Sequence, residues 1–188
     1  MKTLLHVCCG PCAEWPVTVL REGRDGFQGD GLVGYFFNPN IHPADEHSRR
    51  LENAVHLAGV RGLPLEVDPF FDEAPFRARM EDPCVHGDGT ASPRCRMCYA
   101  LRMEATALKA VEIGADAFTT SLLVSPYQDH EAIIEIGREA GRRHGVLFLE
   151  ADFRDGYREG QRMAREDGLY RQKYCGCIAS LSQSGPVR

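Results

Sequence analysis

Seven of the eight cysteines in this chain fall in three short clusters: Cys8-Cys9-Gly10-Pro11-Cys12, Cys95-Arg96-Met97-Cys98 and Cys175-Gly176-Cys177. Thiolate sulfur is a soft ligand suited to zinc and iron–sulfur centres, and a C-x-x-C spacing brings two sulfurs within reach of one metal. Cys9-Gly10-Pro11-Cys12 alone copies the tetrapeptide of thioredoxin-like sites, which also lies between a strand and a helix. A disulfide exchanger leaves Cys8 and the other clusters unexplained. The middle pair, read alone, also fits a zinc knuckle. Glycine between Cys175 and Cys177 lets the backbone fold tightly around a metal. Three, two and two thiolates make seven. One zinc or one 4Fe-4S cluster takes four, and the three left over form an incomplete set with room for substrate on a second metal. Thiols at the start of a helix meet free N–H groups and the positive dipole end, which favour thiolate. Neighbouring residues at a strand end point to opposite sides, so Cys8 and Cys9 are expected to serve a metal differently. Cys84 stands outside the clusters and reads as a free thiol.

These residues need a frame. The 188 residues suit one domain, 1–188, with an ordinary 43% hydrophobic and 26% charged composition. A net charge of −5 gives no general attraction to polyanions, so a nucleic acid would need a local basic face. Too few apolar residues precede Cys8 for a secretory leader, and no stretch has the length of a membrane span. A cytoplasmic setting without membrane attachment is expected, where structural disulfides are rare.

Short apolar runs at Thr3–Val7, Leu32–Phe37, Leu63–Val67, Ala117–Ser121 and Val146–Leu149 read as buried parallel strands. Between them, His47–Ala58, Met97–Ile113 and Asp129–His144 carry apolar residues at helical spacing. Gly59-Val60-Arg61-Gly62, Gly114 and Gly145 stand where those helices should end. The alternation predicts an α/β fold with a doubly wound, mostly parallel sheet of about five strands and ligands at the carboxyl ends of the strands. Gly23–Gly31 reads as a surface loop, Glu81–Ser92 as the most flexible segment and the tail after Ser182 as frayed.

The sequence resembles the QueH-type epoxyqueuosine reductases over most of its length. The resemblance rests on Leu5–Cys12, Tyr35-Phe36-Phe37-Asn38-Pro39-Asn40-Ile41-His42-Pro43, Arg94–Tyr99, Thr119–Leu123 with Ser125–His130, Asp152–Gly156, and Tyr170–Cys177, in this order. It implies a Rossmann-like fold related to PP-loop and HUP-type domains, with a cysteine-rich C-terminal segment, about 152–180, completing the metal site. It further implies reduction of the epoxide of epoxyqueuosine at the tRNA wobble position, using a 4Fe-4S cluster beside a mononuclear iron. Partners would be tRNAs with queuosine-type anticodons and a ferredoxin- or flavodoxin-like electron donor. Other members can carry a carboxylate at the position of Cys12, which makes Cys12 a ligand of the mononuclear iron. The family often has tyrosine where this chain has His47.

The expected metal ligands are Cys8, Cys9, Cys12, Cys95, Cys98, Cys175 and Cys177, with their partition left open. Cys8, Cys12 and Cys175 are expected to be essential for turnover, and His130 and Tyr127 to act beside them, His130 as proton donor. Asn38, Asn40, Gln128, Tyr170, Arg171 and Arg154 are expected to bind substrate. The asparagines would read a base edge or ribose, and Tyr170 and Tyr174 would stack on the base. Arg94, Arg96, Arg154 and Arg171 would meet phosphates. Met97 and Met103 read as core. The rivals are a thioredoxin-like oxidoreductase, an iron–sulfur tRNA thiolation enzyme and a zinc-stapled tRNA-binding module. A thiolation enzyme would need a Ser-Gly-Gly-x-Asp-Ser loop after strand one, where Cys8–Cys12 stands instead.

Overall fold

The computed structural model describes residues 1–23, 31–79, 81 and 91–183. The chain runs β1 (Thr3–His6), α1 (Gly10–Glu22), β2 (Leu32–Phe37), α2 (Ala44–Arg61), β3 (Leu65–Asp68), α3 (Ala74–Arg77), α4 (Pro93–Glu112), β4 (Ala117–Thr120), α5 (His130–His144), β5 (Leu147–Phe148), α6 (Tyr157–Glu166) and α7 (Ile178–Gln183). Turns of 3-10 helix at Ser121–Val124 and Arg154–Gly156 follow β4 and precede α6. Cys84, most of the Glu81–Ser92 segment, the middle of the Gly23–Gly31 loop and the tail beyond Gln183 lie outside the described residues.

All five strands pair in parallel in the order β3-β2-β1-β4-β5. β1 is central and buried throughout, with Leu4 and Leu5 fully enclosed. Thr3 sits opposite both Leu32 and Ala117, so strand order reverses about β1, and the crevice between β1 and β4 is the switch point where such sheets hold ligands. Helix α1 packs against α2 and α6, while α4 packs against α5. Right-handed crossovers put these two groups on opposite faces of the sheet.

The strands stand where the apolar runs place them, with β3 starting two residues later and ending one residue later, and β5 trimmed to two residues. α2 and α4 start three and four residues before their expected bounds, α5 starts one residue after its own, and polar side chains cap α4 and α5. The Ser92 side chain accepts from Cys95 N–H at 3.2 Å, and Asp129 accepts from Ala132 N–H at 3.0 Å. Gly62 and Gly145 close α2 and α5 at φ 57° and 70°, the left-handed region glycine tolerates. Helix α6 escapes the periodicity because its buried residues are Gly160 and Ala164, too small to form an apolar stripe.

Close packing of α5 on β5 requires a bare backbone at Gly141. A Cβ there would lie 2.7 Å from the Val146 carbonyl oxygen and 3.3 Å from Phe148 N. Gly141→Ala is expected to destabilise the protein by about 1–3 kcal/mol, exceeding the ~1 kcal/mol that alanine contributes in a helix. Urea unfolding of the metal-free protein checks this; an unchanged or raised midpoint contradicts it.

Candidate metal centre

β1 delivers Cys8 to the switch-point crevice, Cys9 is the N-cap of α1, and Cys12 lies in its first turn. The three Sγ atoms lie within 4.8 Å of one another, and Cys8 and Cys9 are 3.9 Å apart. Sulfurs arranged tetrahedrally at ~2.3 Å from one ion are about 3.8 Å apart, so the trio fits a single metal. The strand alternation that sends Cys8 and Cys9 to opposite sides does not apply. β1 ends at His6, and Cys9, though extended at φ −171° and ψ 163°, is the N-cap directly before the first helical residue Gly10.

Second contacts hold each sulfur of the trio. The Ser121 hydroxyl, just beyond β4, donates to Cys8 Sγ at 3.2 Å and accepts from Cys8 N–H at 2.9 Å. The Gln172 amide donates to Cys9 Sγ at 2.7 Å and reaches Cys12 Sγ at 3.5 Å. With no metal, the thiols share charge unequally. Hydrogen bonds from Cys12 and Cys9 hold Cys8 well below the usual thiol range. Those same contacts push Cys12 up, and burial pushes Cys9 up. Binding a metal therefore releases protons, chiefly from Cys9 and Cys12.

The other four clustered thiols form a second group. Cys95 and Cys98 occupy the first turns of α4. Burial pushes the Cys98 thiol up to about 12, and the charges of Cys175, Cys177 and Cys95 act in the same direction. Cys98 thus lies within electrostatic reach of the other three sulfurs. Among the described residues only the trio meets the 4.8 Å spacing. The looser quartet suits a cubane, whose ligands attach to different irons. The Cys175–Cys177 loop is fixed from behind. Arg50 donates to the Cys175 carbonyl at 3.2 Å and the Tyr174 carbonyl at 3.0 Å, and His42 N–H donates to the Gly176 carbonyl at 2.8 Å. The Tyr174 hydroxyl donates to the His42 carbonyl. Gly176, at φ 108°, leaves no room for a Cβ, which would lie 3.0 Å from Arg50 Nη1 and Ile41 Cγ1. Cys175 is exposed, with its Sγ 2.9 Å from Ser180 Oγ, whereas Cys177 is buried.

Three arginines, Arg50, Arg94 and Arg102, are buried near these thiols. His6, also buried, spans from Thr120 Oγ1 at 2.9 Å to the Phe37 carbonyl at 3.1 Å. Burial, aided by the Arg102 charge, lowers its pKa to about 4, so its ring is neutral at physiological pH.

The remaining expected site residues divide. Asn38 and Asn40 are buried; Asn38 donates to the Val7 carbonyl at 2.9 Å, and the amide oxygens of both have no hydrogen-bond partner among the described residues. Gln128 accepts from the Tyr99 hydroxyl at 2.7 Å. Tyr127 is exposed, and its ring meets that of Tyr157 edge-on at 6.0 Å. His130 opens α5 with Nε2 3.7 Å from Asp152 Oδ1, too long for a hydrogen bond. Tyr170 donates to Glu46 at 3.0 Å beneath the Arg49 guanidinium. Arg171 is exposed and bonds Gln161, and Arg154 is exposed and paired with Asp152. Arg96 pairs with Glu135. Arg94 is 1% exposed, which removes it from the phosphate contacts: its guanidinium faces the interior, where its charge reaches Cys177. Met103 is in the core, while Met97 is only half-buried.

Sequence reasoning missed Ser121, Gln172, Tyr157, Arg50 and Arg102. Ser121 had a signal, since it directly follows the strand beside β1. Tyr157 is half-buried and feels the charges of Cys12 and Cys9.

Comparison with known proteins agrees with this geometry. The fold is similar to that of the U34-tRNA thiolase NcsA from Methanococcus maripaludis, solved with its 4Fe-4S cluster. The TM-score is 0.52 at 12% identity over 92% of this chain and 58% of that one. The epoxyqueuosine reductase QueH of Helicobacter pylori is 37% identical over 190 residues, covering 95% of this chain and 49% of the relative, so this chain spans about half its length. QueH of Dehalococcoides mccartyi is 34% identical over 179 residues, 95% of this chain and 92% of the relative. That of Thermotoga maritima is 34% identical over 182 residues, 95% of this chain and 89% of the relative. The family described as epoxyqueuosine reductase QueH matches residues 3–183, from the first strand to the last helix and through all three cysteine clusters, and the chain belongs to this family of oxidoreductases.

Proposed function

We propose that this chain reduces the epoxide of epoxyqueuosine at the wobble position of tRNA, giving queuosine. One observation carries the reading. Seven thiols collect as a tight trio, suited to a single ion, and a looser quartet, suited to a cluster. Cys95, Cys98, Cys175 and Cys177 would hold a 4Fe-4S cluster, and Cys8, Cys9 and Cys12 a mononuclear iron. When bound, the iron would supply Lewis acidity toward a substrate oxygen and the cluster would supply electrons one at a time.

The chain's own residues do the rest. Gln172 and Ser121 fix the trio's sulfurs in orientation. Tyr127 and Tyr157 form an aromatic edge on which an unstacked base rests. His130 Nε2, with Asp152 near it, is the proton donor to the departing oxygen. Arg171 and Arg154 meet tRNA phosphates, with affinity that falls as salt rises. Residues 1–188 act as one domain whose segment from about 152 to 180 completes the metal site. Electrons come from a ferredoxin- or flavodoxin-like donor in the cytoplasm. No helix among the described residues is long and apolar enough to cross a membrane.

Anaerobically purified protein is expected to be brown, with broad absorbance near ~400 nm and about five irons per chain. Given a one-electron reductant, it should convert epoxyqueuosine to queuosine in tRNA, read by mass spectrometry of the nucleosides. Stoichiometric zinc without iron, or disulfide reduction by colourless protein, would replace this reading with a rival. Thiolated product formed at the expense of ATP would point to a tRNA thiolation enzyme.

A further inference from the structure

Arg102 lies one turn beyond Cys98 on α4 and is 4% exposed. Its Nη2 donates to Cys98 Sγ at 3.0 Å, and its Nε donates to the Cys98 carbonyl at 3.2 Å. The Thr106 hydroxyl donates to the Arg102 carbonyl at 2.6 Å, bracing this turn. Arg50, also buried beside the thiols, has Glu46 as its carboxylate partner at 2.8 Å. Among the described residues Arg102 has none, and a guanidinium cannot shed its proton. A buried cation without a counter-charge is costly, so the negative charge must come from sulfur. The charges that act on it are those sulfurs: Cys98 and Cys175 of the quartet and Cys8 of the trio, together with Tyr99. One guanidinium thus bonds a thiol of the quartet and lies within electrostatic reach of Cys8 of the trio.

We propose that Arg102 is a positioning residue that tunes the reduction potential of the cluster held by the quartet. The inference rests on the reading of those four cysteines as cluster ligands. Each one-electron reduction takes an electron from the reduced donor and adds one negative charge to the cluster. A fixed positive charge bonded to a ligand sulfur in a low-dielectric interior favours the more negative, reduced state. Arg102 therefore raises the potential and lets a donor of modest strength load the cluster. Its charge carries the effect; the shape of the guanidinium contributes less.

The test is a redox titration of substrate-free holoenzyme followed by electron paramagnetic resonance, on wild type, Arg102→Gln and Arg102→Lys, with iron and sulfide measured in each. At the potential where the wild type is half reduced, Arg102→Gln is expected to show at least a tenfold lower reduced-to-oxidised ratio. That is a downward shift of about 59 mV for one electron. Arg102→Lys keeps the charge and is expected to fall by roughly threefold or less. An unchanged ratio in Arg102→Gln overturns the proposal. An equal fall in both variants does so too, because the role would then be hydrogen-bond shape. If Arg102→Gln takes up no iron, Arg102→Lys decides: cluster uptake near the wild-type potential supports the proposal, and any other result overturns it. Wild type without a cluster signal rejects the reading of the quartet and this inference with it.

Discussion

Cys12→Ser is expected to lower epoxyqueuosine turnover on the order of a thousandfold, equivalent to about 4 kcal/mol of transition-state stabilisation. The same variant should keep the ~400 nm absorbance of an assembled cluster. The trio supplies three sulfurs within 4.8 Å of one another, and a serine hydroxyl does not ionise at neutral pH to replace one. With two thiolates a single ion would be held weakly. The quartet stays intact, because Cys12 lies outside it. Cys98→Ser is expected to do the reverse and bleach the absorbance, since Cys98 is buried at the centre of the second group. Nucleoside analysis, absorbance and iron per chain separate the two outcomes. If Cys12→Ser bleaches the protein as Cys98→Ser does, the three-plus-four partition is wrong. Cys12→Asp adds a finer comparison, because the family resemblance implies that a carboxylate can stand there. It should retain more iron than the serine variant.

Much of this site was legible in sequence because strand ends and cysteine spacing are local signals. Apolar runs bounded by turn residues marked all five strands and put Cys8 at a strand's carboxyl end, but only the strand order shows that Ser121 shares its crevice. Counting thiols led to a four-plus-three division, of which the structure shows the compact trio Cys8, Cys9 and Cys12. The count could not say which sulfur belongs to which group, because Cys95 and Cys175 are joined only by tertiary folding. The alternation rule failed at Cys8 and Cys9, since the strand stops two residues earlier and the N-cap geometry takes over. Arg94 misled for a similar reason: an arginine beside a cysteine looks like a surface cation until burial reveals an interior charge facing thiols. Asn38 was legible as a residue at the end of β2, but its bond to the Val7 carbonyl shows that its amide N–H braces the loop after β1. Gln172 carries no motif of its own, and its contact with Cys9 spans 163 residues of sequence.

The loop bearing Cys175 and Cys177 depends on a residue far from it in sequence, and Arg50→Ala should expose that dependence. Arg50 is 2% exposed and makes three directed contacts, to Glu46 at 2.8 Å and to the carbonyls of Tyr174 and Cys175. Its ring-facing side also lies 5.0 Å from the centre of the Tyr174 ring. Alanine would strand the buried Glu46 with the Tyr170 hydroxyl and the more distant Arg49 guanidinium as its remaining partners, and would leave two loop carbonyls unpaired. Breaking a buried ion pair from one side costs about 3–5 kcal/mol, so Arg50→Ala is expected to lose that much stability in urea unfolding of the metal-free protein. Cluster content should fall as well, because the carbonyls that anchor the Cys175–Cys177 loop lose their donors. Two variants separate these effects. Arg50→Lys keeps the charge but meets fewer acceptors than a planar fork, so it should recover stability better than cluster uptake. Arg50→Met combined with Glu46→Gln removes both charges and should restore most of the stability. Iron uptake should stay low in that double variant, because neither new side chain donates to Tyr174 or Cys175. Full iron loading in the double variant would mean that the loop is held by the His42–Gly176 bond and the Tyr174 hydroxyl alone.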